Sequence, residues 1–514
     1  MTAPAETAVV RAQPTTAQPT TAGELAAAVD AGQRAFEEGR LADPDIRAGW
    51  LEAIGDGLEQ SATGLVETAV RETHLAEARL VGELKRTVFQ LRLFADEIRR
   101  GEHFDATIDH DDPGWGMGPR PDLRRYNVPL GVVGVFGASN FPFAFSVMGG
   151  DTASALAAGC SVVHKAHDAH RELAARTAQV VTAALEGAGA PSGLFSLVTG
   201  RQAGEALVDH PLVKAVGFTG STAGGRALLD RIAARPEPIP FFGELGGINA
   251  VFVTARAWAA RGAEIVTGYA GSFTLGMGQF CTKPGLLFVP AGHADVIRGR
   301  LQEALDGFTS ARLLSPRLHA GYADAVTRLR DSSGVGVLVE GTFADEPAPT
   351  VLRTTSEDVR NNPDLLRQEM FGPASLVVEY DDEAELPALA GLLEGQLTTT
   401  LQAEEDDDVS ALAARLADIS GRVLWNGWPT GVTVSYAQHH GGPYPATTSA
   451  TTSVGTAAIR RFLRPVAYQS FPASRLPEPL QDGNPWRVPQ RVDGVWHHPA
   501  RGEATGGAGK EGQQ

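Results

Sequence analysis

Between residues 130 and 254 the chain repeats one pattern: a short run of branched apolar residues, a glycine-bearing turn, a helix, then another apolar run. Val132, Val133, Val135 and Phe136 form the first run and Gly137 to Pro142 the turn; a small-residue helix follows to Gly159, and Ser161 to His164 begin the next strand. A strand without a polar face has to be covered on both sides, and a parallel neighbour is reached only through a crossover, so the unit folds as βαβ. The segments GLFSLVTG, QAGEALVDHP, KAVGFTGS, TAGGRALLDRIAA and INAVFVT continue the alternation. The predicted class is α/β, with an open parallel sheet wound on both faces. Such sheets take ligands at the carboxyl ends of their strands, where Asn140, Lys165, Gly220 and Glu244 all fall.

Outside this block the patterns differ. From Gly23 to about Arg100, Leu51, Ile54, Leu58, Leu65 and Val66, then Leu84, Val88, Leu91 and Phe94, recur at helical spacing. A Gly/Pro/Asp-rich connection follows at 109–122, a second α/β section runs to about Thr448, and AAIRRFLRPVAYQSFP predicts a helix and an extended strand. The acidic stretch 379–408 reads as a solvated surface. Residues 1–22 and 481–514, rich in Pro with Thr or Gly, are expected to be disordered tails. A chain of 514 residues that is 43% hydrophobic has material for two or three lobes. Its formal charge of −17 argues against nucleic acid or an anionic membrane as partner. Two cysteines, Cys160 and Cys281, make no disulfide framework, and no apolar run reaches membrane-spanning length, so a reducing cytoplasm is the expected setting.

Chemistry concentrates between Phe242 and Pro284. Cys281 and Glu244 both lie among glycines (243, 246, 247, 276, 278), which let backbone approach a flat ligand and leave amides open to an oxyanion. A thiolate attacks a carbonyl carbon, and a nearby carboxylate can then activate the water that cleaves the thioester. The competing reading makes Cys281 a small core hydrophobe and Glu244 a loop acid. FTGSTAGGR joins a strand to a helix whose N-terminus can face pyrophosphate, although it departs from the G-x-G-x-x-G fingerprint. Lys165 can reach ribose hydroxyls, and Asn140 can donate to an oxyanion or serve a turn. His164, His167 and His170 lack the carboxylate or thiolate company of a metal site, so none is assigned. His439 and His440 are candidates to line a pocket.

SNFP at 139–142, K-x-x-D at 165–168, FTGS with Gly225, ELGG at 244–247, GQFC at 278–281 and EMFGP at 369–373 together resemble, in order and spacing, the aldehyde dehydrogenase superfamily. Two longer segments, from Gly421 to Pro472 and from Phe136 to Cys160, resemble its 2,5-dioxovalerate dehydrogenase branch. The resemblance implies a modified Rossmann cofactor domain (23–108 and 131–246), a catalytic domain (247–454) and an oligomerisation strand extension (109–130 and 455–480). It implies Cys281 as nucleophile, Glu244 as base, and Asn140 with the Cys281 amide as oxyanion hole. Lys165 and Glu369 would hold ribose, Phe371 would pack near the nicotinamide, and Gly220, Ser221 and Gly225 would border the pyrophosphate. Asp168, where many NAD-preferring relatives carry Glu, leans the choice between NAD and NADP towards NAD. The implied reaction is oxidation of a small semialdehyde, with a broad-specificity aldehyde dehydrogenase as the alternative and a non-catalytic nucleotide-binding protein behind it. A homodimer is expected, with a homotetramer next. For the substrate end, Phe143, Gln279, His440 and Arg124 are the candidates, with Phe143, Phe145 and Phe280 for an apolar tunnel.

Overall fold

The computed structural model describes residues 18–39 and 42–499. A five-stranded sheet carries Phe195–Val198, Ser161–Lys165, Val132–Phe136, Val213–Thr219 and Phe241–Glu244, in that order and all parallel. The chain enters at the central strand Val132–Phe136, builds outwards on one side, then returns to build the other. The strand order therefore reverses beside that central strand, and a crevice opens at its carboxyl end. All five residues of Val132–Phe136 are buried, as the absence of a polar face requires. The helix after it, Gly150–Ala158, is buried on every side because its residues are small, and Gly159 ends it at φ +96°.

Helix Ala22–Gly39 packs against this sheet, and Pro44–Gln60, Ala62–Thr73 and Glu77–Arg100 pack on one another and on the helices that cover it. Every apolar residue singled out for helical spacing between Leu51 and Phe94 is buried. Asp43 caps the second helix by accepting from the Asp45 amide, with Pro44 in its first turn.

The second lobe holds a seven-stranded sheet in the order Gly336–Val339, Thr350–Thr355, Ala374–Tyr380, Leu286–Pro290, Ala250–Val253, Gln396–Gln402 and Ser420–Trp425. Only the contact between its first two strands is antiparallel. The strand read at INAVFVT belongs here and not to the first sheet. The first sheet is completed by Phe241–Glu244, whose four residues are too few for a clear pattern.

A third sheet lies in the order Leu463–Gln469, Leu123–Pro129, Ala106–Asp109, Gln490–Val492 and Val495–His497. Its last two strands correct the expectation of a disordered C-terminal tail over 481–499: Ala106–Ile108 pairs in parallel with Gln490–Val492. Val488 and Leu480 bury their side chains beside Phe104, which makes the ordering favourable despite the proline content. The tail expected at 1–22 lies outside the described residues up to 17. Beyond that it is corrected, since the Thr20 amide donates to the Thr199 carbonyl at 3.0 Å and Thr199 Oγ1 to the Gln18 carbonyl at 2.8 Å. No helix among the described residues is long and apolar enough to cross a membrane.

Candidate active site

Cys281 follows three consecutive residues with positive φ, Gly276 (58°), Met277 (61°) and Gly278 (65°). A Cβ on Gly278 would sit 2.1 Å from the Gly372 carbonyl oxygen, so no side chain fits at that turn. Asn249 fixes the far side of the turn. It is fully buried, its Nδ2 donates to the carbonyls of Cys281 (2.8 Å) and Lys283 (3.1 Å), and its Oδ1 accepts from the Thr398 amide and hydroxyl.

Glu244 ends the last strand of the first sheet, and a strap from the second lobe runs beside it. Leu245 N donates to the Ala446 carbonyl at 2.8 Å, Thr448 N to the Gly243 carbonyl at 3.0 Å, and Glu244 forms a bridge with Thr447. The strap's flanks bring in His440 and Ser453, which are joined by a 2.9 Å bond from Ser453 N to the His440 carbonyl. His440 Nε2 lies 3.0 Å from Glu244 Oε1 and 3.7 Å from Cys281 Sγ, and Ser453 Oγ donates to Glu244 Oε2 at 3.2 Å. Thiol, imidazole and carboxylate thus form one triangle.

The electrostatics of the triangle are asymmetric. Burial, and after it the charge and hydrogen bonding of Glu244, push the Cys281 thiol well above its ordinary range. Burial raises Glu244 too, but the His440 charge and hydrogen bonds from His440, Cys281 and Ser453 outweigh it and hold the carboxyl below its ordinary value. The ligand-type atoms of all three residues lie within 4.8 Å of one another, a donor set that also suits a divalent metal.

Asn140 stands at the carboxyl end of the central strand with its Nδ2 donating to the Gln279 carbonyl at 3.0 Å, two residues before the thiol. Glu83 and Arg79 hold its turn. Glu83 Oε1 accepts from the amides of Phe143 (2.8 Å) and Ala144 (2.9 Å), and Arg79 Nη2 donates to the Asn140 carbonyl at 2.6 Å.

At the neighbouring edge the residues fit a dinucleotide. Ser221 caps Thr222–Ala233 through the Gly224 amide, leaving a helix N-terminus at the strand ends. A Cβ on Gly225 would meet Leu245 Cδ2 at 2.1 Å, so that helix can lie close to the sheet only with glycine there. Gly220 N donates to the Glu244 carbonyl at 3.0 Å, tying this loop to the base. Lys165 ends its strand half-buried, and burial lowers its pKa. Asp168 Oδ1 takes both bonds from Arg171, at 2.7 and 3.1 Å, leaving Oδ2 open. Glu369 lies against Gly246, where a Cβ would come within 2.9 Å of its Oε2, and burial raises its pKa to about 7 despite the charge of Lys283. Phe371 is half-buried two residues on.

Of the residues proposed from sequence for the substrate end, Phe143, Gln279 and Arg124 are held by other parts of the fold, whereas His440 stands at the thiol. Phe143 packs into the core at 2% exposure, because the two amide bonds to Glu83 turn its side chain inwards. Gln279 is spent on backbone, its Oε1 accepting from Leu314 N and its Nε2 donating to the Gly276 carbonyl. Arg124 is held by Asp122, Asp482 and the Leu480 carbonyl in the third sheet. His440 faces the thiol and the carboxylate. Phe280 lies between Arg79, whose Cζ is 4.5 Å from its ring centre, and Phe141, at 5.2 Å between rings. Phe145 faces His440 at 6.0 Å. The other histidines serve the fold: His164 meets Thr152, His167 accepts from Ala169 N, and His170 meets the Ala138 carbonyl. Asn249 and Ser453 join the site without belonging to the motifs of the sequence. A polar residue just after the glycines of ELGG could have flagged Asn249, whereas Ser453 sits in a Thr/Ser run without any signal.

A family model described as the aldehyde dehydrogenase family matches residues 3–464. Alpha-ketoglutaric semialdehyde dehydrogenase 2 of Azospirillum brasilense is 46% identical over 477 residues, which cover 91% of this chain and 90% of that protein. The alpha-ketoglutaric semialdehyde dehydrogenase of Acinetobacter baylyi is 42% identical over 494 residues, covering 92% of each. Among solved structures, 1-pyrroline-5-carboxylate dehydrogenase from Thermus with bound NAD superposes with a TM-score of 0.74 at 21% identity, over 88% of this chain and 87% of that one, a likeness of fold.

Proposed function

The chain belongs to the aldehyde dehydrogenase family, and from that premise we propose that it oxidises 2,5-dioxovalerate, the α-ketoglutaric semialdehyde of its two relatives' names, to 2-oxoglutarate. It is an NAD(P)-dependent aldehyde dehydrogenase. The observation that carries the mechanism is the triangle of Cys281, His440 and Glu244 beside the Asn140 amide.

Cys281 Sγ attacks the aldehyde carbon as its proton passes to Glu244, to which the thiol is hydrogen-bonded, and leaves from there to solvent before water attacks, while His440 Nε2 faces both groups and steadies the thiolate. Asn140 Nδ2 and the Cys281 amide hold the oxyanion that forms, and losing one such donor costs on the order of a hundredfold or more in turnover. When bound, the nicotinamide would supply the oxidant, an acceptor for the hydride that must leave the carbon as it becomes an acyl group on sulfur. Glu244, held by Ser453, then deprotonates the water that cleaves the thioester. Lys165 and Glu369 bind ribose, Gly220, Ser221 and Gly225 admit the pyrophosphate, and Phe371 packs beside the ring. Asp168 Oδ2 accepts from a 2′-hydroxyl and repels a 2′-phosphate, which favours NAD over NADP. The protein works as a homodimer.

The test is a matrix of initial rates with 2,5-dioxovalerate, succinic semialdehyde and hexanal, each with NAD and NADP. The acid-bearing aldehydes with NAD are expected to give the highest kcat/KM. Cys281→Ala should abolish cofactor reduction and Cys160→Ala preserve it, since Cys160 is fully buried against the Phe462 carbonyl. The ring cluster of Phe141, Phe145 and Phe280, with Phe280 next to Cys281 in the chain and Phe145 facing His440, favours a second reading, a broad oxidiser of apolar aldehydes. A higher kcat/KM for hexanal would decide for it.

A further inference from the structure

Helix Glu77–Arg100 carries Arg79, Glu83 and Arg86 along the side that faces the thiol, at the i, i+4 and i, i+3 spacings that align side chains on one stripe. Two of the three serve the Asn140 turn, although Arg79 Nε and Nη1 and Glu83 Oε2 are buried without a hydrogen-bonding partner among the described residues. Glu83 receives the Phe143 and Ala144 amides, and Arg79 donates to Asn140 and stacks on Phe280. Arg86 differs. Its Nε donates to the Val432 carbonyl at 3.1 Å, which anchors the side chain across the cleft to the second lobe, while Nη1 and Nη2 are both buried and have no hydrogen-bonding partner among the described residues.

The position of that fork is set by a short series of contacts. The Arg86 Cζ is 5.4 Å from the centre of the Phe145 ring, Phe145 is 6.0 Å from the His440 ring, and His440 Nε2 is 3.7 Å from Cys281 Sγ. The guanidinium and His440 therefore approach the same aromatic ring. The charges around it do not balance. Two guanidiniums on this helix face one carboxylate, Glu83, and Glu244, the other carboxylate acting on Arg86 among the described residues, is already paired with His440. Desolvation lowers the Arg86 pKa, with Glu83, Cys281 and Glu244 acting against it. A buried guanidinium with its terminal donors unmade is costly, and a carboxylate is the planar two-oxygen partner that its fork matches.

We propose that Nη1 and Nη2 of Arg86 bind the distal carboxylate of the substrate while its aldehyde carbon lies at Cys281, so that this one side chain selects short ω-carboxylated aldehydes. The inference rests on the semialdehyde reading above and supplies its missing cation. No other arginine near the site has both terminal nitrogens free among the described residues: Arg422 gives both to the Pro429 and Gly431 carbonyls, and Arg79, whose Nε and Nη1 lack partners, gives Nη2 to Asn140 and so has no open fork.

The experiment uses the full chain with its nicotinamide cofactor, as wild type, Arg86→Gln and Arg86→Lys, and has two readouts. The first is the ratio of kcat/KM for succinic semialdehyde over butanal. The second is competitive inhibition of butanal oxidation by glutarate, which has two carboxylates and no aldehyde. Arg86→Gln is expected to lower the ratio and raise the glutarate Ki, each about 10- to 100-fold, the worth of a charge-assisted pair, with Arg86→Lys recovering part of both. Equal loss on succinic semialdehyde and butanal, or a glutarate Ki unmoved by Arg86→Gln, would overturn the proposal. Should wild type prefer butanal yet be inhibited by glutarate through Arg86, the carboxylate site stands and the 2,5-dioxovalerate reading falls. Failure of glutarate to inhibit wild type would remove the site whatever the best substrate.

Discussion

Cys281 is held under opposing demands, since the burial that shields a thioester from water also keeps the thiol protonated. Its folded pKa is raised, so the reactive thiolate is a small fraction at neutral pH and grows about tenfold per unit as pH rises towards that value. The kcat/KM for aldehyde, and the rate of alkylation of Cys281 by iodoacetamide, should therefore both climb through the neutral and alkaline range. His440→Gln removes the ring that faces both the thiol and its carboxylate. At pH 7.5 it should lower kcat/KM by about 10-fold or more, the worth of a charge-assisted contact to the thiolate, and move the alkylation profile to higher pH. An alkylation profile identical to wild type would show that His440 does not serve the thiol. Cys281, Glu244 and Asn140 were legible in the sequence because each sits inside its own short motif. His440 was visible only as a pocket histidine, and Arg86 not at all, because its meaning comes from contacts with Phe145 and Val432, far away along the chain.

Turns, more than strands or helices, determine where these groups point. The apolar runs that make the buried strands and the stripes that make the helices could be read in order, since period and burial are local properties. What could not be read was which sheet each strand joins, as INAVFVT shows, or that the segment beyond 481 adds strands. Both depend on pairing between distant residues. Asn249 makes the same point. At φ +59° it adopts a backbone that Asn tolerates better than Ala, while its amide supports the carbonyls of Cys281 and Lys283 and the amide of Thr398. Asn249→Ala leaves these buried groups unpaired and strains the backbone, so a loss of about 2–4 kcal/mol is expected. Asn249→Gly relieves only the strain and should cost less. Urea unfolding of the pair, read with kcat, checks this; equal midpoints would mean that the left-handed backbone carries no cost there.

At the scale of the whole molecule, the strap 446–448 and the helix Thr456–Phe462 tie the two lobes together. The Arg461 Nη2 to Asp151 Oδ1 bond, 2.7 Å and buried, fixes the chain just before it leaves for the third sheet. That sheet begins with Leu463–Gln469, which is paired on one side only, with Leu123–Pro129. Antiparallel pairing alternates N–H groups inwards and outwards. The Ser470 amide donates inwards to Asp122, so by alternation the nitrogens of Gln469, Ala467, Pro465 and Leu463 face away from the sheet. Pro465 occupies one of the positions where no donor is needed for the inner ladder, as an edge strand permits. If this edge joins two copies, as expected of a strand extension, Ala467→Pro deletes an outward donor and spares every inward one. Sedimentation velocity should then show a wild-type dimer and an Ala467→Pro monomer with the same thermal unfolding of the lobes. A variant that remains dimeric would move the subunit contact away from this strand and onto another surface.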